Sequence, residues 1–161
     1  MAEDLRLLEY IQPGEAVFRI YGWQPYCISL GFHQHDAVLN KEALQEAGIN
    51  FVFRPTGGKA VLHAEEITYS VVIAAEEKLN PLAVYEGINR ALLAGLTIYN
   101  PKLAGCNLET SQPDFAAMRN NPLETGCFTA PAKSELKFNG KKFCGSAQKY
   151  RGSRILQHGS L

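Results

Sequence analysis

A chain of 161 residues is the length of one ordinary domain with a single core. With 46% hydrophobic and 20% charged residues it is no disordered segment, and 16 basic against 16 acidic side chains leave no net field to draw it to nucleic acid or an anionic membrane. No run approaches the roughly eighteen apolar residues of a membrane span, and Met1-Ala2-Glu3-Asp4 is acidic where a secretory signal is basic, so a cytoplasmic location is expected. There Cys27, Cys106, Cys127 and Cys144, which lack C-x-x-C or zinc-type spacing, stay reduced.

Leu5, Leu8 and Ile11 share one face, which predicts an amphipathic helix over residues 4–10, ended by Pro13-Gly14. Residues 17–21 alternate like a strand, and 26–30 form another after the corner Gly22-Trp23-Gln24-Pro25, where Trp23 reads as a core anchor. His33 and His35 fall on one side of an extended chain but have no third partner at suitable spacing, so no metal site is expected. Asn40 caps a short helix through Ala47, closed by Gly48. A strand over 49–52 leads into Phe53-Arg54-Pro55-Thr56-Gly57-Gly58-Lys59-Ala60-Val61-Leu62-His63, followed by a β-branched strand over 66–75. Asn80 as cap, Pro81 in the first turn and Leu82, Tyr85, Ile88, Leu92 and Leu93 predict a helix over 81–93 that covers one face of the sheet. Residues 100–121 are polar and irregular, a long loop. Residues 135–138, the Asn139-Gly140 turn and residues 141–148 form a β-hairpin, because Asn-Gly supplies the two positive-φ residues of a type I′ turn. The chain closes on Leu156-Gln157-His158-Gly159-Ser160-Leu161, a strand just beginning. Strands interrupted by few helices indicate one α+β (α/β layered) domain built on one sheet.

Three stretches could carry chemistry. Gly57 and Gly58 let main chain approach a ligand, and Arg54 and Lys59 beside them suit an anionic or strongly polar acyl group; a plain hairpin turn with two solvated cations is the alternative. Lys142, in K-x-x-G form with Gly145 leaving room, could stabilise charge developing on a carbonyl or phosphate oxygen, whereas Lys141 faces the other way and is solvated. Cys127, after Thr125-Gly126, could be presented by a loop as a nucleophile whose thiolate a nearby cation such as Lys142 favours; a buried structural cysteine is the alternative, and no histidine is spaced as its base. Cys144 reads as a packing residue.

Taken in order, the Phe53 to His63 stretch, Cys127-Phe128-Thr129-Ala130-Pro131, Gly140-Lys141-Lys142-Phe143-Cys144-Gly145-Ser146-Ala147-Gln148 and Leu156 to Ser160 resemble the cofactor transferase family of lipoate–protein ligases, octanoyltransferases and, more distantly, biotin–protein ligases, over nearly the whole chain. The resemblance implies that residues 1–161 are a single biotin/lipoate ligase-type catalytic domain with a mixed, largely antiparallel sheet and helices packed on it. Relatives run on past this last motif, so a C-terminally truncated sequence is expected, a short natural variant being the alternative. It further implies that Trp23 through Gly31 and Gln34 edge the substrate pocket, that Cys127 is the nucleophile and that Lys142 contacts the acyl carbonyl. Arg54, Thr56, Gly57, Gly58, Lys59, His63, Gly145, Ser146 and Ala147 would bind substrate, with Arg54, Lys59 and His63 at the rim or support of an apolar tunnel.

The reaction implied is transfer of an octanoyl (or lipoyl) group from octanoyl acyl carrier protein through a Cys127 thioester to a lysine of a lipoyl domain or the glycine-cleavage carrier protein, without cofactor or metal. An ATP-dependent lipoate–protein ligase acting through lipoyl-AMP, with ATP and magnesium, is the alternative. Ligases show a third glycine after the pair and a double arginine before it; here Lys59 follows the pair, which favours the transferase, and Phe53 departs from both patterns. An amidotransferase using the same cysteine and a non-catalytic binding module of the same fold complete the readings. Neither nucleic acid nor membrane is an expected partner.

Overall fold

The computed structural model describes residues 1–111 and 133–161. Along these the chain forms helix α1 (Ala2–Tyr10), strands β1 (Ala16–Tyr21) and β2 (Cys27–Leu30), helix α2 (Lys41–Glu46), strands β3 (Asn50–Phe53), β4 (Val61–His63) and β5 (Thr68–Ala74), helix α3 (Pro81–Tyr99), and strands β6 (Cys106–Leu108), β7 (Leu136–Phe138), β8 (Lys141–Lys142), β9 (Gly145–Arg151) and β10 (Arg154–Ser160). The expected α+β class and largely antiparallel pairing hold. The strands divide, however, among three sheets rather than one: an antiparallel β1-β5-β10-β9 sheet, a β3-β2-β4 sheet in which β2 and β3 run parallel, and an antiparallel β6-β7-β8 sheet.

Two local features make the division. Between β1 and β2 stands Pro25, which has no N–H to donate, so pairing cannot run through the corner. At the other break, the N–H groups of Phe143 and Cys144 both donate to the Leu136 carbonyl, at 2.9 and 3.3 Å. Two residues opposing one is a bulge, and it ends β8 and turns β9 toward β10. The Asn-Gly hairpin is therefore real but shorter than expected. Asn139 and Gly140 have φ of 50° and 76°, as a type I′ turn requires, yet the return strand stops at Lys142.

Side-chain alternation along β5 and β10 sets two faces. On one, Val72, Ala74 and Leu156 pack against Leu8 and Ile11 beside α1. On the other, Tyr69, Leu136 and Cys144 meet Val71 and the α3 residues Ile88, Leu92, Leu93 and Leu96. Each fully buried leucine contributes about 2 kcal/mol by removal from water. Strand β10 is buried on both faces from Ile155 to His158 and pairs with β5 on one side and β9 on the other, the signature of a central strand. Helix α3 runs six residues beyond Leu93 to Tyr99 because Leu96 continues the apolar face, and Gly95 sits on the exposed side where it costs only about 1 kcal/mol. Asn80 caps it, accepting from the N–H groups of Leu82 and Ala83 at 3.0 and 3.3 Å. Within the expected loop over 100–121, a 3-10 turn (Pro101–Gly105) and β6 replace irregular chain; residues 112–121 and Cys127 lie outside the described residues.

Candidate active site

Residues 54–60 connect β3 to β4 and carry the paired glycines. Gly58 has φ +102°, a conformation open only to glycine at small cost. The close approach of main chain that the sequence suggested is present, but toward the protein itself: a Cβ on Gly31 would lie 1.9 Å from the Gly58 carbonyl oxygen. The turn thus seats backbone to backbone on the loop after β2. Gly57 faces open space, with nothing within 4 Å of where its Cβ would be.

Arg54 is buried, and its guanidinium donates to the Ser29 carbonyl at 2.8 Å, to the Gly57 carbonyl at 3.1 and 3.3 Å, and to the Lys59 carbonyl at 2.5 Å. Expected at the rim or as a support of the pocket, this side chain braces the turn from inside and also borders a cavity.

Arg54, Gly57, Gly58 and His63 on this side, and Lys142, Gly145, Ser146 and Ala147 on the other, border one cavity of about 170 Å³. Strand register explains the second group: Gly145 lies opposite Ser160 and Ala147 opposite His158, so small residues on β9 leave room beside the polar residues of β10. The cavity wall is predominantly carbon, because the polar groups around it bond to one another. Thr56 lies buried under the turn and Lys59 is exposed; neither is among the bordering residues.

Lys142 emerges from β8 just before the bulge, and its ammonium sits 2.8 Å from the Glu135 carboxylate, the two side chains being 8% and 3% exposed. Glu135 also accepts from the Tyr85 hydroxyl at 3.1 Å and the Ser146 N–H at 3.4 Å. As the alternation argument requires, Lys141 is exposed. The site therefore holds a fixed cation beside the cavity. Cys144 is fully buried and its thiol is pushed up to about 12 by burial, which makes it the packing residue expected.

Two histidines that border the cavity anchor hydrogen-bond chains that sequence reading did not find. His63 Nε2 lies 2.7 Å from Ser29 Oγ, and Nδ1 bonds the Glu66 carboxylate. Glu66 also accepts from Thr68 Oγ1 at 2.8 Å and Ser160 Oγ at 2.9 Å. Burial opposes its charge, but the hydrogen bonds from His63 and Thr68 outweigh that and hold the carboxyl below its ordinary range. Trp23, half-buried where a core anchor was expected, stacks on the His63 ring at 4.4 Å and donates from Nε1 to Thr68 Oγ1 at 2.8 Å, fixing the plane of the imidazole.

The second chain runs from Thr56 Oγ1, 2.7 Å from His158 Nε2, through His158 Nδ1 to Asp4 at 3.5 Å. Asp4 is fully buried and accepts from Arg19 at 2.6 Å and the Tyr21 hydroxyl at 3.3 Å. It pins the glycine turn to the central strand and to α1. The only sequence signals for these partners are the shared face of His158 and Ser160 and the three-residue step from His63 to Glu66.

The family model for the lipoyl protein ligase A/B catalytic domain matches residues 1–161. The chain is 37% identical over 169 residues to an octanoyltransferase LipM of Anoxybacillus flavithermus, covering 100% of this chain and 59% of that protein. To the protein of the same name in Lysinibacillus sphaericus it is 40% identical over 167 residues, covering 100% and 60%. The chain thus spans about 60% of the length of the curated relatives it matches. Among solved structures, a T. acidophilum protein with bound lipoic acid has a TM-score of 0.78 at 21% identity, covering 99% of this chain and 61% of that one. A lipoate-protein ligase A bound with ATP matches at 0.78 and 20%, covering 99% and 59%. These two likenesses speak to the fold, whereas the model spanning every residue speaks to descent, and on it the chain belongs to the lipoyl protein ligase A/B catalytic domain family.

Proposed function

We propose that this chain supplies the acyl-transfer site of an octanoyltransferase, moving an octanoyl (or lipoyl) group from acyl carrier protein through a thioester on Cys127 to a lysine of a lipoyl domain or glycine-cleavage carrier protein. The observation that carries the reading is the carbon-walled cavity that the glycine turn, His63 and Lys142 border together. Its volume, about 170 Å³, is of the class in which an apolar pocket of about 150 Å³ holds a benzene-sized hydrocarbon. Relatives named octanoyltransferase, aligned over the whole chain, support the same reading.

In the first half-reaction the Cys127 thiolate adds to the donor thioester carbonyl, and the carrier thiol leaves with the electron pair of the broken C–S bond. Lys142 stabilises the oxyanion formed on the way. In the second, the acceptor amine displaces Cys127. Thioester exchange is nearly balanced and amide formation runs downhill, so neither ATP nor magnesium is needed. Cys27, Cys106 and Cys144, the cysteines among the described residues, are all buried with thiols pushed up by burial, which leaves Cys127 the nucleophile in this proposal. No helix among the described residues is long and apolar enough to cross a membrane, and the site of action proposed is the cytoplasm.

Purified protein given octanoyl acyl carrier protein and a lipoyl domain without ATP is expected to transfer the acyl group, and Cys127→Ser to abolish it. Transfer seen only with ATP would favour the ligase chemistry through lipoyl-AMP, and full activity of Cys127→Ser would remove the thioester.

A further inference from the structure

The second half-reaction has a requirement the first does not. A lysine arrives as an ammonium, and its nitrogen has no lone pair until one proton has gone. The hydrogen-bond chain at His63 is directional in a way that can take that proton. The Glu66 carboxyl, held below its ordinary range, only accepts, so His63 Nδ1 carries the hydrogen between them. Nε2 is then the acceptor, and the Ser29 hydroxyl, 2.7 Å away, must donate to it. Arg54 Nη1 donates to Ser29 Oγ at 3.1 Å, which leaves that oxygen one lone pair; Ser29 and His63 both border the cavity. Other groups on the ring are the stacked Trp23 and the Ser160 hydroxyl, 3.3 Å from Nδ1; the nearby charges are Glu66 and Arg54, with Lys142 across the cavity.

The His158 chain has the same parts but ends blind, since Thr56 does not border the cavity. Both histidines border the cavity, but only in the His63 chain does the hydroxyl border it too.

We propose that Ser29, His63 and Glu66 form a proton relay that draws a proton from the acceptor lysine during discharge of the acyl-enzyme. The proposal rests on the octanoyltransferase reading and adds the base which that reading lacks. The ammonium proton passes to Ser29 Oγ as the Ser29 proton passes to His63 Nε2, and Glu66 stabilises the imidazolium. The amine lone pair forms the C–N bond, and the C–S bond breaks with its electron pair going to sulfur. The amide nitrogen loses its second proton to the departing thiolate, and His63 returns the first to solvent.

The test separates the relay from a merely structural histidine by changing the nucleophile. Wild type, His63→Gln and Ser29→Ala are loaded with excess octanoyl thioester, and the adduct is followed by intact mass while it is discharged either by a lipoyl domain or by hydroxylamine, which reaches neutral pH already unprotonated. The expected result is discharge to the lysine slowed about 100-fold in both variants, with discharge to hydroxylamine within about threefold of wild type. Equal slowing with both nucleophiles, or normal discharge to lysine in either variant, overturns the relay and leaves the transferase reading standing. An adduct mapped to Ser29 makes that residue a nucleophile and overturns the relay too. No adduct on wild type removes the transferase reading and the relay with it.

Discussion

The Lys142–Glu135 pair is where a single atom's worth of change should have the largest readable consequence. Glu135→Gln keeps the shape of the side chain and leaves an acceptor oxygen for the Tyr85 hydroxyl and the Ser146 N–H, while removing the negative charge 2.8 Å from the Lys142 ammonium. Removing one partner of a buried ion pair typically costs about 3–5 kcal/mol, because the remaining charge stays desolvated. The lysine side chain retains 8% of its exposure, which argues for the lower end, about 3 kcal/mol. For a domain of this size that corresponds to a loss of roughly 6–12 °C in Tm. Lys142→Met in the same background should recover much of it, since a methionine of similar length asks for no counter-charge. The assay is urea unfolding of wild type, both single variants and the double variant, with the midpoint shifting at constant slope. A Glu135→Gln variant within about 0.5 kcal/mol of wild type, or single effects that simply add, would show that the carboxylate does not hold the ammonium and would refute the argument.

Acyl transfer by Lys142→Met should fall by about 10²–10³-fold in kcat, as when an oxyanion donor is removed, and a normal rate measured with saturating donor would contradict that role. Gly31→Ala should destabilise by more than about 2 kcal/mol, because its Cβ would fall 1.9 Å from a main-chain oxygen, whereas Gly57→Ala, which meets open space, should stay within about 1 kcal/mol; thermal melts of the two compare like with like. Burial of Asp4 is the largest influence and opposes its charge, but hydrogen bonding from His158 together with the other polar and charged groups around it outweighs burial, so its folded pKa lies below the ordinary 3.8. A depressed carboxyl stabilises the fold above its unfolded pKa and loses that contribution as pH falls through the folded one. Stability should therefore drop as pH is lowered from about 4, and Asp4→Asn should flatten that drop; an unchanged acid limb by urea midpoint would exclude the assignment.

Much of the fold could be read from local signals because those signals are local in cause. The Asn40 and Asn80 caps, the Gly48 stop and the Asn139-Gly140 turn depend on dihedral preferences and single hydrogen bonds, and each stands where the sequence put it. What failed was whatever depends on pairing across long separations. Nothing in Lys141-Lys142-Phe143-Cys144 says that two N–H groups will share the Leu136 carbonyl, yet that sharing splits one expected strand between two sheets. The gathering of Gly57, Gly58, His63 and Lys142 at one cavity was expected only from the family resemblance of their motifs, not from spacing. Which of its two expected places Arg54 takes, rim or support, was not legible, because a cation flanking glycines reads the same whether it faces ligand or main chain.

The two histidine chains show why the remaining part of the site stays hidden until tertiary structure is known. Ser29–His63–Glu66 and Thr56–His158–Asp4 use the same chemistry: a hydroxyl at 2.7 Å from Nε2 and a carboxylate on Nδ1. Their partners come from as far apart as Asp4 and His158, and beyond the three-residue step from His63 to Glu66 neither chain exists as a spacing. What distinguishes them is which hydroxyl reaches a wall. Ser29 is placed by β2, whose β4 neighbour carries His63 to the cavity edge; Thr56 is placed under the turn by Gly58 leaning on Gly31. A glycine pair that reads as a ligand cradle thus has a second consequence: by folding the turn down onto Gly31 it closes one hydroxyl off and leaves the other open. A bulky residue at position 31 should then disturb the Thr56–His158 anchor before it disturbs the Ser29–His63 pair, an order that hydrogen exchange at the Phe32 N–H, bonded at 2.9 Å to the Thr56 carbonyl, would reveal as earlier loss of protection than at the β2–β4 ladder.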